Sequence, residues 1–176
     1  PQADPVRLRG FQLWVNLPRS HKMTEPRYRG LTAAQLPQVV LPGGVQVTVI
    51  SGDCGGTRGA VTDIVVPTFY LEVRLPAGTE FTQPVDAEWH AFAYAVAGAV
   101  RCGDSELADG NLGILTAGDS ITVSAPDTAA RVLLAAGRPL REPIAWRGPI
   151  VMNTEAELET AFREYRAGTF ITTGKR

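Results

Sequence analysis

The sequence predicts an all-β fold, a jelly-roll β-barrel joined to one C-terminal amphipathic α-helix. Three observations predict it. Short β-type runs follow one another from residue 38 to residue 135, glycine and proline turns separate them, and no amphipathic helix intervenes before the C-terminus.

The 176 residues suffice for one domain, or for one domain and a piece of another. Hydrophobic residues at 44% and charged residues at 20% are ordinary globular values and exclude a disordered chain. Seventeen basic against eighteen acidic residues, with neither sign in a block, remove the simplest electrostatic case for direct nucleic-acid binding. No apolar run approaches the roughly 20 residues of a membrane helix. The N-terminus has no basic-then-apolar signal pattern, so a cytoplasmic protein without membrane contact is expected. The opening Pro1 to Pro5 reads as the interior of a longer chain.

In chain order, Phe11, Leu13, Val15 and Leu17 alternate with Gln12 and Asn16, the period of a half-buried strand that Pro18 stops. Residues 19–36 are polar, contain Pro26 and Gly30, and form the expected boundary, with one short turn over Thr32–Leu36. Strands are expected at Gln38–Leu41, Val45–Ile50, Val61–Val66, Phe69–Leu75, His90–Val100, Ser120–Ser124 and Arg131–Ala135. Gly43-Gly44, Gly55-Gly56, Pro76-Ala-Gly78, Gly110 and Gly118-Asp119 punctuate them. Near the C-terminus Leu158, Ala161, Phe162 and Tyr165 recur at helical spacing. Thr154 and Glu157 predict a capping box, and Gly168 a stop. The divisions are thus 1–18, a terminal strand; 19–36, the connector; 37–148, the barrel; and 149–176, helix and tail.

Ordinary catalytic constellations are missing. Cys54 and Cys102 lack CxxC spacing and neighbouring histidines. His21 sits between Ser20 and Lys22 in the polar connector, as a solvated residue would. No G-x-S-x-G elbow occurs, and Gly52-Asp-Cys-Gly-Gly56 lacks the Gly-Lys-Ser/Thr ending of a phosphate loop, so a hairpin turn explains it better. Trp14, Trp89 and Trp146 are too far apart to be read as a stacking platform.

Four motifs in order carry a family resemblance: Gly10-Phe-Gln-Leu-Trp-Val-Asn-Leu-Pro18, Lys22-Met-Thr-Glu-Pro-Arg-Tyr28, Pro139-Leu-Arg-Glu-Pro143 and Gly148-Pro-Ile-Val-Met-Asn-Thr154. Together with Ile50-Ser-Gly52 and Pro67-Thr-Phe-Tyr-Leu71 they resemble the pirin family of two-domain cupins. The resemblance implies iron held by three histidines and a glutamate in an N-terminal barrel, and an activity like that of iron-dependent quercetin 2,3-dioxygenases or of transcription co-regulators. Those ligands precede the Gly10–Pro18 motif, so none carries over, and no cofactor is expected in this chain. What remains resembles the last strand of the N-terminal cupin, the connector, the metal-free C-terminal cupin and the closing helix. The implied partner is the N-terminal cupin; self-association through the C-terminal helix is the alternative.

A metal-binding cupin carries two histidines and a glutamate after a turn like Pro76-Ala-Gly78, and a third histidine after a turn like Gly118-Asp119. Counted from Gly78, these slots fall on Pro84, Asp86, near His90 and on Ile121, leaving Asp86 and His90 as a degenerate pair with no catalytic residue among them. Alternation makes Phe69, Leu71, Phe92 and Tyr94 candidates for the barrel lining, either around a small-molecule cavity or in a filled core. Three functions follow as expectations: a non-catalytic cupin half, a small-molecule-binding barrel or interaction module, and an independent dioxygenase with metal supplied by another chain.

Overall fold

A computed structural model describes residues 10–171; the Pro1–Pro5 opening and the tail after residue 171 lie outside the described residues. The chain forms β1 (Gln38–Val40), β2 (Gln46–Ser51), β3 (Asp53–Cys54), β4 (Thr57–Arg58), β5 (Thr68–Leu75), β6 (Thr79–Pro84) and β7 (His90–Ala97). It continues through β8 (Val100–Cys102), β9 (Ser105–Leu107), β10 (Leu112–Ile114), β11 (Ser120–Ala125), β12 (Ala130–Gly137), β13 (Ala145–Arg147), β14 (Ile150–Met152) and α1 (Glu155–Ala167). A six-stranded sheet runs in the order β1-β2-β5-β12-β7-β10 and faces a four-stranded sheet ordered β6-β11-β8-β9. From β5 to β12 the chain passes back and forth between the two sheets, which is the jelly-roll architecture expected.

The large sheet is built around β12, paired along its length with β5 on one side and β7 on the other. Its run Val132-Leu-Leu-Ala-Ala136 is continuously apolar because both faces are covered. Inward, Val132 and Leu134 stand beside Val73 and Leu71 of β5, while the neighbouring positions of β7 are Ala95 and Ala93. Phe81, Val100, Ile121 and Val123 close the interior from the small sheet. Each large side chain buried here contributes roughly 1.5–3 kcal/mol.

Several elements differ from expectation. Phe11–Leu17 forms no strand: its backbone finds no ladder partner among the described residues, and Phe11, Leu13, Trp14 and Val15 remain exposed. Val61–Val66 also stays outside the sheets. Only Val61 bridges Ser51, and Asp63 is held by Arg27, Arg29 and Thr62. Conversely, Thr79–Pro84, not among the expected strands, is a strand with a six-residue register against β11. The expected run His90–Val100 breaks at Gly98, where φ is +71° and an added Cβ would lie 2.6 Å from the Ala129 carbonyl oxygen.

The capping box forms as the sequence predicts, with Thr154 Oγ1 accepting from the Glu157 amide and the Glu157 carboxylate accepting from the Thr154 amide. Helix α1 stops at left-handed Gly168. Leu158 and Ala161 pack on Ala145 and Ile150 of the β13–β14 hairpin, a cluster separate from the barrel core. Tyr165 leaves the apolar stripe and is exposed.

Candidate functional site

The predicted metal slots do not converge. The side chains on the inner face of β6 are Phe81 and Gln83, whereas Pro84 is exposed, so the count from Gly78 runs one residue out of phase with the pleat. Gln83 is committed structurally, its Nε2 donating to the carbonyls of Asp53 and Pro84 at 3.1 and 3.2 Å. Ile121, its partner on β11, is buried apolar wall. Asp86 is exposed in the β6–β7 loop, where its carboxylate accepts from the Glu88 amide at 2.9 Å. His90 is exposed at the start of β7, facing away from the interior. Iron does not fit this donor set, and among the described residues no three His, Cys, Asp or Glu side chains gather around a common point.

The predicted barrel lining divides in two. Phe69 and Leu71 point inward and belong to the filled core. Phe92 and Tyr94 do not, because β7 turns Ala91, Ala93 and Ala95 inward and its aromatics outward. The small alanines leave room for Leu71 and Leu134, and the two-residue period sends the larger side chains to the other face.

That outer face is the most distinctive surface of the molecule. Residues 10–17 cross it as a strap, with the Phe11 ring edge-on to Tyr94 at a centroid distance of 5.2 Å. Trp14 stands 62% exposed on the strap, and Ile114 on the edge strand β10 is 83% exposed. Leu112, Ile144 and Trp146 add to the uncovered apolar area. A groove of about 500 Å³ opens between strap and sheet, walled by Leu13, Trp14, Phe92, Ala135 and Ile144, with His90, Arg138 and Arg141 also lining it. A second groove of about 600 Å³ continues past Leu17 and Lys22 to Trp146 and Phe170.

A polar junction holds the strap in place. Lys22 Nζ donates to Asn16 Oδ1 at 2.7 Å, and the Glu142 carboxylate accepts from the Arg19 amide at 2.8 Å and from Asn153 Nδ2 at 2.9 Å. Asn153 Nδ2 also reaches the Pro143 carbonyl at 2.9 Å, and Arg19 pairs with Glu157 at 2.6 Å. Burial pushes the Lys22 ammonium below its ordinary value, against the nearby carboxylates of Glu142 and Glu157. Partial desolvation pushes Glu157 up, and the bonds from Arg19 and Thr154 outweigh it, leaving the carboxyl below its usual range. Residues from four sequence motifs meet here: Asn16, Lys22, Glu142 with Pro143, and Asn153 with Thr154. Sequence reasoning used those motifs to mark a family and, apart from the capping role of Thr154, gave none of these side chains a role. No local pattern marks them, since the four segments meet only in the fold.

Nucleophilic chemistry is disfavoured at the cysteines. Burial, then the neighbouring Asp53 charge, pushes the Cys54 thiol up, and burial does the same at Cys102. On the outer face of β5 burial pushes Glu72 up. The hydrogen bonds from Arg131 at 2.8 and 2.9 Å and from Arg74 at 2.9 Å prevail, holding the carboxyl below the usual glutamate range.

Comparison with known proteins bears on this arrangement. The sequence pattern described as the Pirin C-terminal cupin domain matches residues 70–171. A pirin-like protein of Caulobacter vibrioides is 43% identical over 172 residues, 97% of this chain and 62% of that protein. Human pirin is 38% identical, over 89% of this chain and 55% of its own length. The crystal structure of a quercetin 2,3-dioxygenase from Acinetobacter baumannii superposes with a TM-score of 0.82 at 31% identity, covering 89% of this chain and 55% of that one. The chain therefore spans little more than half to about three fifths of the length of these relatives.

Proposed function

The chain belongs to the pirin family, and from that premise we propose that it is the non-catalytic cupin half of a longer protein whose chemistry resides in an iron-bearing partner barrel. The observation that carries this reading is the filled interior. Phe81, Ala91, Ala93, Ile121 and Val123 line the interior with apolar side chains that cannot ligate a metal, and Gln83 is already spent on two backbone carbonyls.

The role left to this half is to present a surface. Its partner is the N-terminal cupin, met by the strap and the outer face of the large sheet. Patches of this kind on soluble proteins mark interaction sites. With Leu158 and Ala161 already buried on its own hairpin, α1 contributes to such contacts mainly through exposed Tyr165. Without the partner, the same face drives self-association. The activity of the longer protein is oxidation of a quercetin-like substrate, a reading supported by the likeness to the Acinetobacter quercetin 2,3-dioxygenase. The free thiols of Cys54 and Cys102 suit a reducing cytoplasm.

Elemental analysis of the purified chain, with and without added ferrous iron and alongside quercetin turnover, tests the reading. The expected result is no stoichiometric iron and no turnover. One tightly held iron per chain with oxygen-dependent turnover would overturn it.

A further inference from the structure

We propose that the basin where β2, β5 and β12 carry Gln46, Arg74 and Arg131 side by side binds the phosphate group of a small phosphate monoester. The basin lies at the end of the large sheet opposite His90 and Gly137, against the turns that hold Gly44, Pro76 and Ala129. It shares no residue with the strap, its two grooves or the exposed apolar patch, so the inference stands apart from the reading of a partner barrel.

Sheet register brings the three polar side chains together. Gln46 stands opposite Arg74, and Arg74 opposite Arg131, whose neighbour on β7 is Ala97. All three leave the outer face, because Val47, Leu75 and Val132 next to them point into the core. Directly opposed residues hold their Cβ atoms about 4.5–5.5 Å apart, and like charges so placed repel. Glu72 answers only one of the two positive charges. Its Oε1 accepts from Arg74 Nε and from Arg131 Nε, each at 2.9 Å, and its Oε2 accepts from Arg131 Nη2 at 2.8 Å. One positive charge is left over, and no acidic residue lines the basin.

The free donors are accessible and held in place. Among the described residues both Nη atoms of Arg74 and Nη1 of Arg131 donate to no protein acceptor. The Glu72 side chain is 15% exposed, against 42% for Arg131 and 59% for Arg74, so the carboxylate sits beneath and the unused guanidinium nitrogens face solvent. Bonds at the two Nε atoms fix the planes of both forks before any ligand arrives. A ligand then orders little that is not already ordered.

The donor set selects the ligand's polar group. With the Gln46 amide, donors from three neighbouring strands line one basin of about 560 Å³. A phosphate monoester offers three strong acceptor oxygens and close to two negative charges near neutral pH, whereas a carboxylate offers two oxygens and one charge. Guanidinium forks match phosphate oxygens in pairs. The remaining walls, Ala97, Ala130 and Pro76 among them, are short apolar side chains that leave the approach to the forks clear.

Calorimetric titration of the full chain at low salt tests the proposal, with glycerol 3-phosphate, inorganic phosphate and glycerate as probes. Glycerol 3-phosphate is expected to bind about tenfold or more tighter than glycerate, and at least as tightly as inorganic phosphate. Arg74→Gln should weaken glycerol 3-phosphate by about tenfold or more, while Arg131 keeps its two bonds to Glu72 and the fold survives, as circular dichroism checks. Arg101→Gln removes the same charge from β8 of the small sheet and should change nothing. Amide shifts at Gly44 and Ala97 on titration locate the ligand, and the affinity should be the same at protein concentrations below and above those at which the chain self-associates. No preference over glycerate, preference for inorganic phosphate over the ester, an equal loss in Arg101→Gln, or competition between ligand and self-association would each overturn the proposal.

Discussion

The barrel and the strap are both rich in apolar residues, yet they spend them in opposite ways. In the barrel, inward side chains from two facing sheets are buried almost completely, and every strand of the large sheet has at least one ladder partner. On the strap, Phe11, Leu13, Trp14 and Val15 have the alternating neighbours of a strand but no sheet to join, and they stay largely in solvent. What fixes the strap is the polar junction at its C-terminal end, through Asn16, Arg19 and Lys22. Hydrophobic burial thus builds the scaffold, and directional hydrogen bonds aim an uncovered apolar element across it.

The contrast can be broken first at the core. Leu134→Ala removes a fully buried side chain from the central strand and is expected to cost about 2–5 kcal/mol in urea denaturation. Gly52→Ala comes next: at φ +81° an added Cβ would lie 2.4 Å from Phe69 Cβ, so a loss of more than about 1 kcal/mol is expected. Asn153→Ala attacks the junction instead, removing the side-chain donor to both Glu142 and the Pro143 carbonyl. Glu142 keeps the Arg19 amide, so about 1–2 kcal/mol is expected, with faster proteolysis between residues 10 and 24 as the distinguishing readout.

A pH series probes the outer face of the barrel. Because the folded Glu72 carboxyl lies below its ordinary value, its ion pairs stabilise the protein above the usual glutamate range. That contribution is lost as the pH falls through the lowered value. Glu72→Gln should therefore flatten the acid limb of the stability curve and leave the neutral limb parallel to that of the parent. The smallest effect on stability belongs to the strap, where Trp14→Ala should change unfolding by no more than about 0.5 kcal/mol. In sedimentation, however, the same substitution should reduce self-association, so stability and assembly separate at this one residue.

The sequence carried most of the barrel and little of the site. Strands such as β5 and β12, and helix α1 with its capping box, were legible because hydrophobic period, turn glycines and caps are local signals. The inward set of β7 was not, since Ala91 and Phe92 alternate equally well either way. Only the register against Leu134 of β12 decides which of them faces the core. The strap was legible as a strand pattern, but whether a strand forms depends on a partner elsewhere. The metal slots were read by counting, and the pleat of β6 shifted the count by one. The junction was out of reach because Asn16, Glu142 and Asn153 are distant in sequence and meet only in the fold. No pattern within one sequence reports a hydrogen bond across such separations.

Amide hydrogen exchange, resolved by residue, tests the contrast most directly. The amides of β5, β7 and β12 are expected to exchange only on global unfolding, whereas those of residues 11–15 exchange fast, because no ladder protects them. Strap amides protected as strongly as those of β12 in the monomeric chain would contradict the account, since the strap would then be a strand of this barrel and not an element waiting for cover.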